Sequence, residues 1–252
     1  MFMGGLVSIA AAVLPPLAGL DHRLLCMHMV QHFLLMTIAP PLILLGEPFL
    51  SFRRGLPSPF IRFVMDPVLG SKSTQQLAEF MCRPLTCWLI ATAVLLGWHF
   101  PRAFDLVMQS ETWHAIEKLS FLAAGLLFWM PVIRPWPSTA HWPQWSIPAY
   151  LFLATLPCDA LSAFLTFCGR VVYPHYLHQQ LPLNISPLED QETAGAMMWV
   201  FVTFAYVIPA AVATIQLLSP SPTYFQPDPS DGPAGIEKVA VQSPSRISVE
   251  PA

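Results

Sequence analysis

The sequence predicts an all-α protein, a polytopic transmembrane helical bundle of about six spans followed by a disordered C-terminal tail. Hydrophobic residues make up 54% of the 252 residues and charged residues only 11%, whereas soluble domains carry about a quarter charged residues. Several segments stay apolar over roughly the 20 residues that a membrane-spanning helix needs. After residue 218 the composition changes to Pro, Ser, Asp and Gly, which is typical of a chain that cannot form a core.

The predicted spans follow one another along residues 1–218, which we take as one transmembrane bundle. They lie at about 2–20, 24–46, 84–100, 113–133, 147–168 and 194–218. The loop at 47–83 mixes large apolar residues with arginine, which is typical of a segment that lies on anionic headgroups. An ordinary solvated loop explains it equally well. Residues 219–252 form the predicted tail.

Lysine and arginine predict the orientation, because cytoplasmic loops retain positive charge. The loop between the second and third spans carries Arg53, Arg54, Arg62, Lys72 and Arg83. We therefore expect this loop to be cytoplasmic, and alternation of the spans places the N-terminus and the C-terminal tail on the same side.

This orientation gathers the histidines at the extracytoplasmic side of the membrane. All except His141 fall at outer ends of spans or in outer loops: His22, His28, His32, His99, His114, His175 and His178. His28 and His32 are four residues apart, so they share one helix face, and Met36 extends that face by a turn. Imidazole together with thioether favours copper, especially Cu(I). The candidate metal ligands are His28, His32, His99, His114 and Met36. Alternatively, the histidines hydrogen-bond between helices and the methionines fill apolar gaps.

Charged residues inside the spans are candidate partners of these ligands. Asp159 lies in the middle of the fifth span, at a depth that matches His32. A carboxylate that accepts a ring proton from a ligating histidine would fix its tautomer. Glu117 and Lys118 follow His114 in the fourth span, and Lys118 is expected to reach the interface or to pair with Asp159 or Glu117.

Two further acids, Glu189 and Asp190, precede the sixth span. Acids complement the helix dipole there, so capping is favoured over a chemical role. The chain shows no glycine loop for nucleotides and no nucleophile motif, and we expect no enzymatic activity. A net charge of -3 argues against nucleic acid as a partner. Five cysteines without a C-x-x-C pair argue against a zinc ribbon.

The second span carries a longer motif. Residues 28–36 read H-M-V-Q-H-F-L-L-M, and residues 39–42 read A-P-P-L. This pattern resembles the signature of the CtaG-type cytochrome c oxidase assembly proteins, a polytopic family associated with caa-type oxidases. The resemblance runs from about residue 5 to 215 and continues through Trp98-His99-Phe100-Pro101, His114, Glu117, Asp159, Ser186-Pro187-Leu188-Glu189-Asp190-Gln191 and Met198-Trp199-Val200.

The resemblance implies an integral membrane accessory protein of the bacterial inner membrane. Its partners would be cytochrome c oxidase subunits and the lipid bilayer, and its suspected role is to bind copper or hand it over at the extracytoplasmic side. The polar positions of the family correspond to His28, His32, His99, His114, Asp159, Glu189 and Asp190. Lys118 is a departure, because a second histidine is expected there and a protonated lysine is no ligand.

Two other functional classes stay open on the sequence. One is a b-type haem or quinone-linked redox protein, in which His32 and either His99 or His114 would be axial ligands from different helices. The other is a transporter of small solutes or ions, with Asp159 and Lys118 as charges near the midplane.

Overall fold

The computed structural model describes residues 1–47, 70–133, 143, 145–178 and 185–219. Within these residues the regular structure is helical, and they contain no strand. The α-helices are α1 (Phe2–Val13), α2 (Leu17–Leu20), α3 (Leu25–Phe33), α4 (Ala39–Leu45), α5 (Lys72–Met81), α6 (Pro84–Trp98), α7 (Pro101–Gln109), α8 (Glu111–Ile133), α9 (Ser146–Phe167) and α10 (Pro187–Leu218). A π-helical turn, Leu34–Ile38, joins α3 to α4, and a 3-10 helix, Pro174–His178, precedes α10.

The predicted class is confirmed, since the described helices include several that are long and apolar enough to cross a membrane. These are Phe2–Leu20, Leu25–Leu45, Glu111–Ile133, Ser146–Phe167 and Pro187–Leu218. α5 and α6 make a sixth span if they are counted as one segment, which bends by 64° at its break. The described residues thus form a multi-pass membrane bundle with five spans, or six if α5 and α6 are one.

Two predicted segments fall mainly outside the described residues. Positions 48–69 of the predicted interfacial loop are among these, and only the end of that loop is described, where it forms α5. The predicted tail also lies outside the described part of the chain, apart from Ser219.

Proline and glycine bring the second span and α8 close together. Pro40 has no N–H to donate, which leaves the Met36 carbonyl without its usual helical partner. The π-helical turn lies at this point, and such turns often mark functional sites. A Cβ at Gly125 of α8 would lie 2.6 Å from the Met36 carbonyl oxygen and 2.7 Å from Pro40 Cγ. Only glycine therefore allows this approach, as small residues do between membrane helices.

Gly125→Ala is expected to destabilise the bundle by about 1–3 kcal/mol, the usual cost of overpacking. The measurement is the thermal unfolding midpoint in detergent. Gly97→Ala is the control, because a Cβ at this helical position meets nothing within 4 Å and the change should stabilise by roughly 0.5–1 kcal/mol. Equal midpoints for the two variants would show that the approach of α8 is not as close as described.

A second proline links α6 to α9. Pro157 lies inside α9 and deprives the Leu153 carbonyl of its helical donor. The indole Nε1 of Trp88 in α6 donates to this carbonyl oxygen at 3.3 Å. The hydrogen bond satisfies an orphaned polar group in an apolar setting and fixes α6 against α9, beside the histidine residues of α3.

Tyrosines from the segment before α10 close the bundle at the end where α3 begins. The Tyr173 hydroxyl donates to the His99 carbonyl oxygen at 3.1 Å, and the Tyr176 hydroxyl donates to the Asp21 carbonyl oxygen at 2.9 Å. Burial raises the pKa of both hydroxyls well above the ordinary tyrosine value. Both groups therefore stay neutral hydrogen-bond donors, and they tie the backbone at His99 and at Asp21 to side chains of the covering segment.

Candidate metal site

Two histidines of α3 and one glutamate of α8 converge inside the bundle. His28 Nε2 lies 3.4 Å from Glu117 Oε1, and His32 Nε2 lies 3.3 Å from the same oxygen. One ligand atom from each of the three residues lies within 4.8 Å of the others. His28 and Glu117 are completely buried, and His32 nearly so. We call His28, His32 and Glu117 the metal cluster.

The helix periodicity of α3 explains the pairing of the histidines. Residues four apart stand one above the other on a helix, and the His28 and His32 ring centroids are 4.3 Å apart. Phe121, one turn beyond Glu117 on α8, stacks on the His32 ring at 4.0 Å. Aromatic packing and the carboxylate thus hold the imidazole in one orientation, so the cluster is preorganised.

His114 connects the metal cluster to a second group of ligands. Its Nε2 lies 3.9 Å from Glu117 Oε2 and 3.4 Å from Asp21 Oδ2. Asp21, His22 and His114 also offer ligand atoms within 4.8 Å of one another. Lys118 Nζ lies 3.3 Å from the same Asp21 oxygen, so this second group already holds a cation.

The polar atoms of the metal cluster are buried without hydrogen-bond partners in the described part of the protein. This holds for both ring nitrogens of His28 and His32 and for both carboxylate oxygens of Glu117. Burial of an unpaired carboxylate costs several kcal/mol, and orphaned buried groups in native structures often indicate an ion. A coordinated cation would satisfy these groups, since a metal accepts electron pairs from unprotonated nitrogen and oxygen together. The residues present therefore fit a metal ion.

The other predicted ligands lie beside the cluster. The His99 ring centroid is 5.6 Å from that of His32, but its Nε2 faces Met29 Sδ at 3.3 Å. Met36 is buried and lines a cavity together with His32 and His99. The structure thus brings His28, His32 and His114 together around Glu117 and leaves His99 and Met36 on the far side of His32.

The predicted charge partners require two corrections. Asp159 is half-buried and its Oδ1 has no hydrogen-bond partner among the described residues, while the carboxylate beside His32 is Glu117. Equal depth did not imply contact, because residues at one depth can face different neighbours around the helix. Lys118 contacts Asp21 rather than Asp159 or Glu117.

The two acids that the sequence placed before the last span lie in the first turn of α10 and cap different helices. Glu189 accepts from the Ser186 backbone N–H at 2.7 Å, and its own N–H donates to Ser186 Oγ at 3.2 Å, which is a capping box. Asp190 instead accepts from the backbone N–H groups of Leu25 at 2.6 Å and Cys26 at 3.3 Å. Asp190 therefore caps α3, the helix that carries His28 and His32.

Asp21 and Gln31 were missed by the sequence reasoning. The signal for Asp21 was its position next to His22, just after the first span. Gln31 lies between the two histidines in the sequence. It is completely buried, and its amide atoms have no hydrogen-bond partner in the described residues. The sequence signal for Gln31 was weaker than that for Asp21. It is the free-energy cost of placing a glutamine inside an apolar span.

Comparison with known proteins identifies the family. The family model for the cytochrome c oxidase caa3 assembly factor (Caa3_CtaG) matches residues 1–219. The uncharacterized proteins Mb0105 of Mycobacterium bovis and MT0111 of Mycobacterium tuberculosis are each 27% identical over 180 residues, which cover 68% of this chain and 26% of each relative. The uncharacterized protein ML1998 of Mycobacterium leprae is 24% identical over 200 residues, 76% of this chain and 29% of the relative.

These alignments cover about a quarter of the length of the curated relatives. No solved structure matches. The family match covers more than four-fifths of the chain and includes every helix that forms the metal cluster. The chain belongs to the cytochrome c oxidase caa3 assembly factor family.

Proposed function

We propose that this protein assists the assembly of cytochrome c oxidase in the bacterial inner membrane by binding copper at the metal cluster and handing it to an oxidase subunit on the extracytoplasmic side. The observation that supports copper binding is the convergence of two imidazoles and one carboxylate, all buried and without hydrogen-bond partners in the described residues. The family supplies the link to the oxidase.

The donor set determines which metals are reasonable. Two imidazole nitrogens suit copper, zinc, iron and nickel, whereas magnesium and calcium prefer oxygen ligands. The Glu117 carboxylate offsets one unit of positive charge in an apolar setting. Three ligands leave copper a free position for an incoming ligand, and such exchangeable coordination suits a carrier better than a closed site does.

The same geometry counts against a haem held by His32 and either His99 or His114. His32 Nε2 lies 3.3 Å from Glu117 Oε1, His99 Nε2 lies 3.3 Å from Met29 Sδ, and His114 Nε2 lies 3.4 Å from Asp21 Oδ2, so each of these nitrogens already faces another side chain. The cavity that His32 and His99 share has a volume of about 40 Å³, whereas cofactor sites usually occupy about 300–1,000 Å³. A larger cavity of about 560 Å³ borders His99 but neither His32 nor His114. The transporter hypothesis, which used Asp159 and Lys118 as charges near the midplane, is weakened as well, because Lys118 pairs with Asp21 rather than with Asp159.

A double variant, His28→Ala with His32→Ala, tests the proposal. Both imidazole ligands are removed, so we expect the copper held by the metal cluster to be lost and oxidase activity in membranes to fall with it, at unchanged protein level. The measurements are copper content of the detergent-purified protein after loading and oxidase activity of membranes from a strain that depends on it.

His175→Ala serves as the control, because it removes a histidine that lies against the His22 carbonyl oxygen and outside the metal cluster. Normal copper content and normal oxidase activity in the double variant, at equal protein level, would disprove the proposal.

A further inference from the structure

A cavity of about 40 Å³ lies beside the metal cluster and is lined by sulfur-containing side chains. Four helical segments contribute them, and two histidines belong to the same lining. The members are Met29, Met36, Cys158, Met198, His32 and His99. Each of these residues is less than 10% exposed. We call this space the sulfur cavity.

The orientation of His99 in this cavity is unusual for a packing residue. Its Nδ1 lies 2.7 Å from the Leu95 carbonyl oxygen, and a carbonyl can only accept, so Nδ1 carries the proton. In the neutral ring Nε2 is then an acceptor, and it faces the thioether of Met29 at 3.3 Å. Thioether sulfur is also only an acceptor. Two electron-pair donors that face each other at this distance are arranged to share a cation.

His32 belongs to both the sulfur cavity and the metal cluster. Its Nε2 lies 3.3 Å from Glu117 Oε1, and its Nδ1 is buried without a hydrogen-bond partner in the described chain. Only one nitrogen of the neutral ring is unprotonated at a time, so His32 offers its electron pair either through Nε2 to the cluster or, in the other tautomer, through Nδ1. A single imidazole that borders both spaces provides a short route between them.

We propose that the sulfur cavity is a second copper site, specific for Cu(I), which exchanges its ion with the metal cluster through His32. The exchange rests on the proposed function of the cluster, whereas binding in the cavity does not. Thioether and thiol donors select Cu(I) over harder ions. A water needs roughly 10–15 Å³ of such volume, so the cavity has room for one ion. The ion stays in one oxidation state throughout.

The alternative is that the methionines only fill space, as flexible thioethers often do in cores. This alternative predicts no sulfur–copper bond. X-ray absorption at the copper edge separates the two, because sulfur and nitrogen neighbours scatter differently. The sample is the full chain, purified in detergent and loaded with Cu(I) without oxygen.

Met29→Leu with Cys158→Ala is the test variant. We expect wild-type protein to show sulfur neighbours around copper, and the variant to show fewer of them, since only Met36 and Met198 remain, and to bind Cu(I) at least tenfold more weakly, at the low end of about 10–100-fold for altered metal sites. The matched control is Met197→Leu with Cys168→Ala, which removes the same atoms from residues outside the cavity lining. If the test variant is unstable, Cys158→Ser replaces it, because serine preserves the volume and removes the sulfur.

The outcomes distinguish this proposal from the proposed function. Copper bound only through nitrogen and oxygen in wild-type protein, or an equal sulfur signal in the test variant and its control, overturns the second site and leaves the metal cluster standing. Sulfur-bound copper together with unchanged nitrogen-bound copper in His28→Ala with His32→Ala supports the cavity and argues against the cluster. Loss of nitrogen-bound copper in one variant and sulfur-bound copper in the other supports both.

Discussion

Glu117→Gln is expected to abolish copper binding at His28 and His32 while leaving the fold intact. The amide has the shape of the carboxylate but lacks its charge. Two unit charges about 4 Å apart interact by about 4 kcal/mol at an effective dielectric constant near 20, and a loss of that size weakens binding by roughly a thousandfold. Glu117 is the one acid of the cluster and is completely buried.

The same variant should be no less stable than the wild-type protein when copper is absent. The Glu117 oxygens are buried without hydrogen-bond partners in the described residues, and removing such a buried charge relieves a desolvation cost of several kcal/mol. If the substitution destroys copper binding but leaves stability unchanged or raises it, the native Glu117 serves function at the expense of stability.

Two measurements test these expectations. Competition with a chelator gives the copper affinity, and the unfolding midpoint of the metal-free protein gives its stability. Glu111→Gln is the matched control, since Glu111 is an exposed acid at the start of the same helix. If Glu117→Gln bound copper with wild-type affinity, the Glu117 carboxylate would not be a copper ligand. A lower midpoint without copper would show that Glu117 is a structural residue.

The membrane class and the histidine pair could be predicted from the sequence because each depends on local information. Composition and apolar length define the spans, and a spacing of four places His28 and His32 on one face whatever lies around them. Capping by Glu189 is local as well, since its partner Ser186 is three residues away.

The centre of the site could not be predicted because it depends on how helices rotate against each other. Asp159 and Glu117 were both candidates for the carboxylate beside His32, and depth alone favoured Asp159. The close approach of α8 to the second span at Gly125 places Glu117, two turns earlier on α8, against the histidines. Only tertiary packing contains that information.

The role of Lys118 was likewise a matter of tertiary structure. The sequence showed a lysine where the family pattern favours histidine, and the structure pairs its ammonium group with Asp21, 97 positions earlier in the chain. His114 approaches the same Asp21 oxygen. The Lys118 ammonium group occupies the position beside Asp21 that a metal ion would otherwise take. This favours the metal cluster as the copper site.

Asp190→Ala is expected to cost about 3 kcal/mol of stability and to weaken copper binding as well. Its carboxylate accepts the first two free N–H groups of α3 from 165 and 164 positions away in the chain. Charged hydrogen bonds are worth about 1.5–3 kcal/mol each, and a buried donor left without a partner adds to the loss. The helix dipole of α3 also favours a negative charge at that end.

The effect on copper follows from the position of the cap. His28 lies two residues after Cys26, the second capped residue of α3, so a frayed first turn displaces one of the two imidazoles. Glu189→Ala removes a neighbouring acid that is exposed and caps only its own helix, and should cost less stability than Asp190→Ala, with no change in copper affinity. Thermal unfolding and chelator competition on both variants give the comparison. Equal losses in the two variants would mean that α3 does not depend on the Asp190 cap and that the metal cluster is organised by the packing of α8 alone.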